Sequence, residues 1–379
     1  VTRQDRLGLS LVVEPGDPRL RDLLLAHEPA EILAAVVGRH RLSDAVIPSA
    51  WIERGRQIEP LAEAAAGRAR AAGLRWITPG DKEWPPGLSD LDHVEPLHGA
   101  TGAPVGLWLR GAGHLGEMCE RSVAIVGARD CTTYGAECTS DLAADCADAR
   151  WTVISGAAYG VDGCAHRGAL LMGSPTAAVL ACGADLDYPA SHSALLGRIA
   201  EAGVVLSEQA PGERPLKQRF LSRNRIIAAA TRGTLVVEAA VRSGSLNTLN
   251  WADQLGRTTM ALPGPVTSRQ SAGTHAAVRA GKAVLVTTGR EAVAELSGLG
   301  AGSEEQPTLP MTELDRLPTA ARSTLEGLDW GTAHQVAEIA SAVQLTTKDV
   351  RAALDLLELR GLAARVGSAW MLARRADAV

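Results

Sequence analysis

The sequence predicts an α/β protein built around a doubly wound, mostly parallel sheet, with a helical domain before it and a small three-helix domain after it. Three observations carry this. Between Ser122 and Val286, short apolar runs rich in β-branched residues recur without polar alternation. Each is followed by glycine or another turn former, and most then lead into a helix-like stretch. After a Gly/Ser/Glu-rich break, the chain ends in three helical patterns and a hairpin pattern. Strands buried on both faces of a parallel sheet read as continuous apolar runs, and alternating strand and helix define a doubly wound domain.

Residues 1–110 read as an Ala/Leu-rich helical domain and connector. Asp17-Pro18 opens a helix through Leu20, Leu23, Leu24 and Leu25, and Glu28-Pro29 opens another through Ile32, Leu33, Val36 and Val37, stopped by Gly38. Proline just inside a helix and glycine just past it is the expected asymmetry. Leu61–Ala72 is a further helix, and 79–104, with Pro85-Pro86, Pro96 and Gly99, reads as irregular connection.

Residues 111–298 form the predicted sheet domain. Its strands are Val123–Val126, Thr152–Ile154, Ala177–Leu180, Val204–Leu206, Thr234–Val237, Thr259–Leu262 and Ala283–Val286. Residues 299–310 read as a solvated linker. In 311–379, helices near Thr319–Gly327, Ala333–Val343 and Thr346–Arg360 precede Ala363–Val366, a Gly367-Ser368 turn and Ala369–Leu372, which is a winged helix-turn-helix layout. Val350, Leu354, Leu357 and Leu359 are expected on the inner side of the third helix.

Composition narrows the function. The net charge is −5, so any polyanion must be met by a local cluster of cations. Residues 213–242 supply one: Arg214, Lys217, Arg219, Arg223, Arg225, Arg232 and Arg242 stand against Glu213 and Glu238 only. None of the six cysteines forms a C-x-x-C pair, so neither a zinc site nor a disulfide framework is expected. The absence of a signal-like or membrane-length apolar run points to a soluble, cytoplasmic protein.

Ligands of open α/β sheets bind at the carboxyl ends of strands, and three such ends carry glycine. They are Gly127-Ala128-Arg129, Ser155-Gly156 through Gly160-Val161-Asp162, and Glu238 followed by Arg242-Ser243-Gly244-Ser245. Glycine lets backbone N–H groups approach a phosphate, and a helix N-terminus adds unpaired donors. None is a G-x-G-x-x-G or P-loop motif, so the weight lies on the set. Phe220, the single phenylalanine, sits among the cations. It reads as core with Ile226 and Ile227, or as a surface on which a base stacks. Asn224 reads equally as a ligand contact or as the anchor of a neighbouring loop. Asp162 and His166, four apart on one helix face, fit a structural role better than acid–base work. Glu238 is the strongest lone carboxylate, with no partner arguable from spacing, and no catalytic set emerges.

These segments together resemble the DNA-processing protein A (DprA/Smf) family. The resemblance rests on Ala124–Arg129, Ser155-Gly156 with Gly160–Asp162 and Ala165–Ala169, Tyr188-Pro189, Phe220, Arg223–Ala228, Val237–Ala239, Arg242–Leu246 with Thr248, Pro263-Gly264 and Ser271–Thr274. It implies an extended Rossmann-like domain that binds single-stranded DNA, forms a dimer and loads RecA in natural transformation, with a SAM- or helix-hairpin-helix-like N-terminal domain and no cofactor or metal. It also implies phosphate contacts from Arg129 and Lys217 and donors from Ser155, Gly156 and Ser243-Gly244-Ser245. Arg223, Asn224 and Arg225 become pocket-wall residues in contact with the DNA and Phe220 a stacking surface, with Gly160, Arg219 and Arg242 also DNA- or phosphate-binding and Gly127, Asp162, His166 and Glu238 as framework. Tyr159 and His275 depart from the family pattern, standing where many members have arginine and asparagine.

Two other classes remain. A phosphoribohydrolase-like enzyme would carry a Pro-Gly-Gly-x-Gly-Thr loop with a following glutamate, which Arg242–Thr248 lacks. A nucleotide-sensing transcription factor would need a basic recognition helix. Here Lys348, Arg351 and Arg360 are matched by Asp349, Asp355 and Glu358, so a protein contact or accessory role is expected of the tail.

Overall fold

The computed structural model describes residues 3–42, 45–297 and 317–373. The linker expected at 299–310 lies outside them. Packing divides the chain into two units, Val1–Gly302 and Ser303–Val379.

The first unit is centred on nine strands: β1 (Arg75–Ile77), β2 (Leu107–Arg110), β3 (Ser122–Val126), β4 (Thr152–Ser155), β5 (Thr176–Val179), β6 (Val204–Ser207), β7 (Gly233–Val236), β8 (Thr258–Ala261) and β9 (Val284–Leu285). Their order is β1-β2-β6-β5-β4-β3-β7-β8-β9. Strands β3 to β9 run parallel. Chain order runs outward from β3 through β4, β5 and β6 on one side, and from β7 through β8 and β9 on the other. The direction of winding therefore reverses between β3 and β7, the topological switch point where such sheets open a crevice.

Alternate residues of each strand feed two cores. Ala124 and Val126 of β3 pack with Ile154, Val179, Leu206, Val236 and Ile226 on one face. Val123 and Ile125 pack with Val153, Leu235, Leu142, Val161 and Ala165 on the other. All are buried, as two-sided coverage requires.

The boundary expected at 110/111 cuts through this sheet. β2 pairs antiparallel with β6, and β1 with β2, in the register Trp76↔Trp108. Two strands of three and four residues, set among prolines and glycines, are too short for a periodic pattern. They nevertheless cover the β6 edge, which would otherwise be an open template for pairing. A 3₁₀ segment, Pro86–His93, also replaces part of the expected irregular stretch.

Ahead of the sheet, helices run at Arg3–Val12, Pro18–Ala26, Pro29–Val36, Ser49–Gly55 and Ile58–Ala71. Asp17 caps the second by accepting from the Arg19 N–H at 3.0 Å. This cluster has its own core of Leu9, Val12, Ile32, Val36 and Trp51.

In the second unit, helices Thr319–Glu326, Val336–Ala342 and Thr347–Leu359 pack with β10 (His334–Gln335), β11 (Ala363–Val366) and β12 (Ala369–Leu372). The antiparallel order is β10-β12-β11. Val350, Leu354 and Leu357 are buried with Ile339 and Trp370. Leu359 is corrected to the outside, at 85% exposure. It lies two residues beyond Leu357, about 200° around the helix, so it cannot share that face.

Candidate functional site

A cleft of about 1420 Å³ opens at the switch point. One wall is the segment after β3, Val126 to Asp130. A second is the segment after β7, Ala240 to Asn250, and a third is one face of the helix Lys217–Ala229.

That helix explains how its cations divide. At 3.6 residues per turn, Lys217, Phe220, Leu221 and Asn224 share a face, which lines the cleft together with Arg223 and Ile227. Arg219 and Arg225 lie on the other side, and for them the expectation of a ligand contact is corrected. Arg219 is buried against Glu14, at 2.9 Å for the second of its two bonds, and against Glu213, also at 2.9 Å. Arg225, with no exposed surface, makes two bonds of 2.8 Å to Glu208. Both guanidiniums are neutralised away from the cleft and tie the helix to neighbouring segments.

The cleft-facing cations are freer. Arg129, Lys217 and Arg242 are exposed, and no ion pair is formed by any of them among the described residues. The Arg129 guanidinium lies 4.7 Å from the centre of the Phe220 ring, within cation–π range. Tyr188 stands 5.7 Å from Phe220, tilted by 50°. Phe220 is half-buried, so the reading of it as core gives way: the ring forms part of the cleft wall.

Arg223 is fixed at the back. It donates to the carbonyls of Gly156, at 2.8 Å, and Val179, and its Nε donates to Asn224 Oδ1 at 3.2 Å. Burial lowers its pKa to about 10, opposed by the charge of Asp162, so it stays a cation at neutral pH. Asp162 is buried too. Its carboxyl is pushed above the usual range by desolvation, and the Arg223 charge and the N–H groups of Ala158 and Gly156 hold it down.

The second glycine loop serves the frame more than the ligand. The Ser155 hydroxyl donates to the Ile125 carbonyl at 2.6 Å. The Gly156 N–H is taken by Asp162, and a Cβ there would strike the Arg223 guanidinium at 2.1 Å. Gly160 (φ +73°) lets this loop press on the backbone of Ala128 and Arg129, where a side chain would clash at 2.3 Å. The expectation that Ser155 and Gly156 donate to a ligand is therefore corrected, since both groups are spent internally. Their role is to hold the Arg129 loop.

Glu238 and His166 are also accounted for. Glu238 accepts from the Thr132 N–H at 2.9 Å and its hydroxyl at 2.7 Å, clasping the segment after β3. His166 is fully buried, with Nδ1 2.8 Å from the Thr176 hydroxyl, and burial lowers its pKa to about 3. Asn224 resolves as an anchor, donating to the Gly244 carbonyl and to Asn247 Oδ1, each at 3.2 Å. The Ser243 and Ser245 hydroxyls bond each other at 2.7 Å beside the cleft. Tyr159 accepts from the Ser191 hydroxyl at 2.8 Å and meets His192 edge-on, while His275 accepts from the Gly264 N–H at 3.3 Å.

Lining residues that escaped the sequence reading include the polar and charged His98, Arg269, Gln270 and Lys282. Isolated residues far along the chain leave no local signal. His98 Nδ1 lies 2.9 Å from the Asn247 amide. Counting these additions, the cleft carries Arg129, Lys217, Arg223, Arg242, Arg269 and Lys282 against Asp130 and Asp162. Such a surface suits a polyanion. Among the described residues there is no cluster of metal-ligating side chains, and no helix is long and apolar enough to cross a membrane.

Comparison with known proteins identifies relatives of this chain in sequence and in fold. A Mycobacterium tuberculosis protein named as a DNA processing protein DprA is 43% identical over 312 residues, covering 80% of this chain and 78% of its own. The DNA processing protein DprA of Streptococcus pneumoniae is 40% identical over 212 residues, covering 55% and 74%. The X-ray structure of the Streptococcus pneumoniae DNA processing protein A superposes with a TM-score of 0.61 at 30% identity, over 77% of this chain and 97% of that one. Residues 75–297 match the family described as DNA recombination-mediator protein A, so the chain belongs to that family, the DprA/Smf proteins.

Proposed function

We propose that this protein binds single-stranded DNA in the switch-point cleft and hands it to RecA during natural transformation and recombination, acting as a cytoplasmic homodimer and not as an enzyme. The observation that carries the reading is one cleft lined both by Arg129, Lys217 and Arg242, none of which forms an ion pair among the described residues, and by the Phe220–Tyr188 ring pair. Cations that track a backbone beside an aromatic face are the means by which single strands are held without sequence preference, each stacked base contributing about 1–3 kcal/mol. Relatives named for DNA processing support the same reading. The RecA and dimer elements rest on family membership alone.

The cleft also argues against a mononucleotide as the main ligand. Its volume of about 1420 Å³ exceeds the roughly 300–1,000 Å³ of small-molecule pockets. Glu238, the strongest lone candidate for hydrolysis, is committed to Thr132. The second unit is read as a winged helix, from three helices and a three-stranded sheet. The charge balance of its third helix suits an accessory or protein-contact role.

The test is fluorescence anisotropy with labelled oligo-dT and its duplex across a salt series. Wild type is expected to prefer the single strand, with affinity falling as salt rises. Lys217→Ala and Arg129→Ala should each lower the salt slope by about 0.7. Equal affinity for duplex and single strand, or variants that bind like wild type, would refute the reading.

A further inference from the structure

The cleft extends beyond the residues that flank Phe220. Past the Ser243–Ser245 loop it runs between the helices Ser245–Gln254 and Ala272–Arg279, where Leu246, Asn250, Ala276 and Ala280 line it. Both helices pack on β8. Two cations belong to this arm. Arg269 opens the 3₁₀ turn ahead of the second helix, and Lys282 follows that helix after the turn at Gly281 (φ +67°). Both side chains are exposed, and neither forms an ion pair among the described residues. The cleft's two carboxylates, Asp130 and Asp162, belong to the segments after β3 and β4; Asp130 adjoins the start of this arm, where its carbonyl accepts from the Gln270 amide at 3.2 Å, and no acidic residue lines the stretch between the two helices.

We infer that Arg269 and Lys282 form a second phosphate-binding track, which takes nucleotides further along the same strand after it passes the Ser243–Ser245 loop. This rests on the single-strand reading above and extends it. The physical grounds are continuity and charge. One uninterrupted cleft joins the two arms, and an exposed cation without an ion-pair partner can neutralise a phosphate of the strand, releasing the counterions condensed on it. The Ala276 and Ala280 side chains are small, leaving room for a sugar and base between the helices. On this inference a strand confined to the Phe220 arm does not run between the two helices and leaves the second pair largely uncontacted, so the contribution of Arg269 and Lys282 depends on strand length.

The experiment compares oligo-dT of about 6 and about 20 nucleotides, spanning the usual site sizes of single-strand binders. Wild type, the Arg269→Ala/Lys282→Ala double variant and Lys217→Ala are each titrated across salt. Wild type should bind the longer strand with the steeper salt slope. The double variant should lose about 1.4 from the slope for the long strand, and clearly less for the short one, so that the advantage of length shrinks. Lys217→Ala should weaken both lengths alike. Lys282→Glu provides a second variant, expected to weaken long-strand binding further than Lys282→Ala.

A double variant that keeps the full wild-type advantage of the long strand overturns the second track and leaves the Phe220 arm intact. Equal losses at both lengths overturn it as well, because Arg269 and Lys282 would then contact the short strand directly. Absence of single-strand binding by wild type removes the track together with the reading on which it rests.

Discussion

His166 sits behind the cleft with no exposed surface, its Nδ1 2.8 Å from the Thr176 hydroxyl. That hydroxyl donates to the Val153 carbonyl at 2.6 Å, so the imidazole must be the donor in the first bond, which fixes the neutral tautomer with hydrogen on Nδ1. Burial lowers its pKa from 6.5 to about 3. The unfolded chain therefore binds the proton more readily between those values, so the contribution is complete above pH 6.5 and is lost as pH falls toward 3. By about pH 5 the loss should reach about 2 kcal/mol. Urea unfolding between pH 5 and 7.5 should show that decline in wild type and a flatter profile in His166→Gln; parallel profiles would contradict it. At this scale the sequence was partly legible. It named Arg129, Lys217, Arg223 and Phe220, which line the cleft. It also named Arg219, Arg225, Ser155 and Gly156, which turn inward. The 3.6-residue period already separates Lys217, Phe220 and Asn224 from Arg219, whereas the carboxylates that claim Arg219 and Arg225 come from positions 14, 208 and 213, beyond the reach of local pattern.

The helix Lys217–Ala229 has two jobs on two faces. Toward the cleft it presents Lys217 and Phe220. On its other side it is anchored by Arg225 to Glu208, directly after β6 in sequence, and by Arg219 to Glu14 in the loop between the first two N-terminal helices. Removing one partner of a buried pair strands a charge in low dielectric. Glu208→Ala should therefore destabilise the first unit by about 3–5 kcal/mol. Replacing both partners, as in Glu208→Leu/Arg225→Met, should restore most of that loss, with oligo-dT affinity near wild type at temperatures where the protein is folded. A double variant no more stable than Glu208→Ala would contradict the buried-pair account, and one that binds DNA poorly while folded would place Arg225 in the ligand site after all. The parallel strands were readable as elements because each is a continuous apolar run, and β11 and β12 fall at the residues expected. β1 and β2 were not, because β2 is a strand only through pairing with β6 across nearly 100 residues of chain, and β1 only through pairing with β2.

The chain as a whole holds two units with separate apolar cores, one set around β3–β8 and one around Val350, Leu354 and Trp370. Cooperativity follows a shared core, so calorimetry of the full chain should resolve two transitions. A single transition with equal calorimetric and van't Hoff enthalpies would mean that the units unfold as one. The net charge of −5 has a further effect at this scale under the proposed function, since a body of net negative charge would repel DNA while the cation-lined cleft would attract it. Encounter is then steered toward one opening instead of spread over the surface.

The Glu238–Thr132 clasp joins the segment after β7 to the segment after β3, and these are the two sides that diverge at the switch point. The crevice is thus braced across its own mouth before any strand arrives. Arg129, two residues from the clasp and pressed from behind by Gly160, needs little rearrangement to meet a phosphate. Under the proposed function, entry of a strand would then cost chiefly the order imposed on the strand, with the nucleic acid as the flexible partner in the encounter.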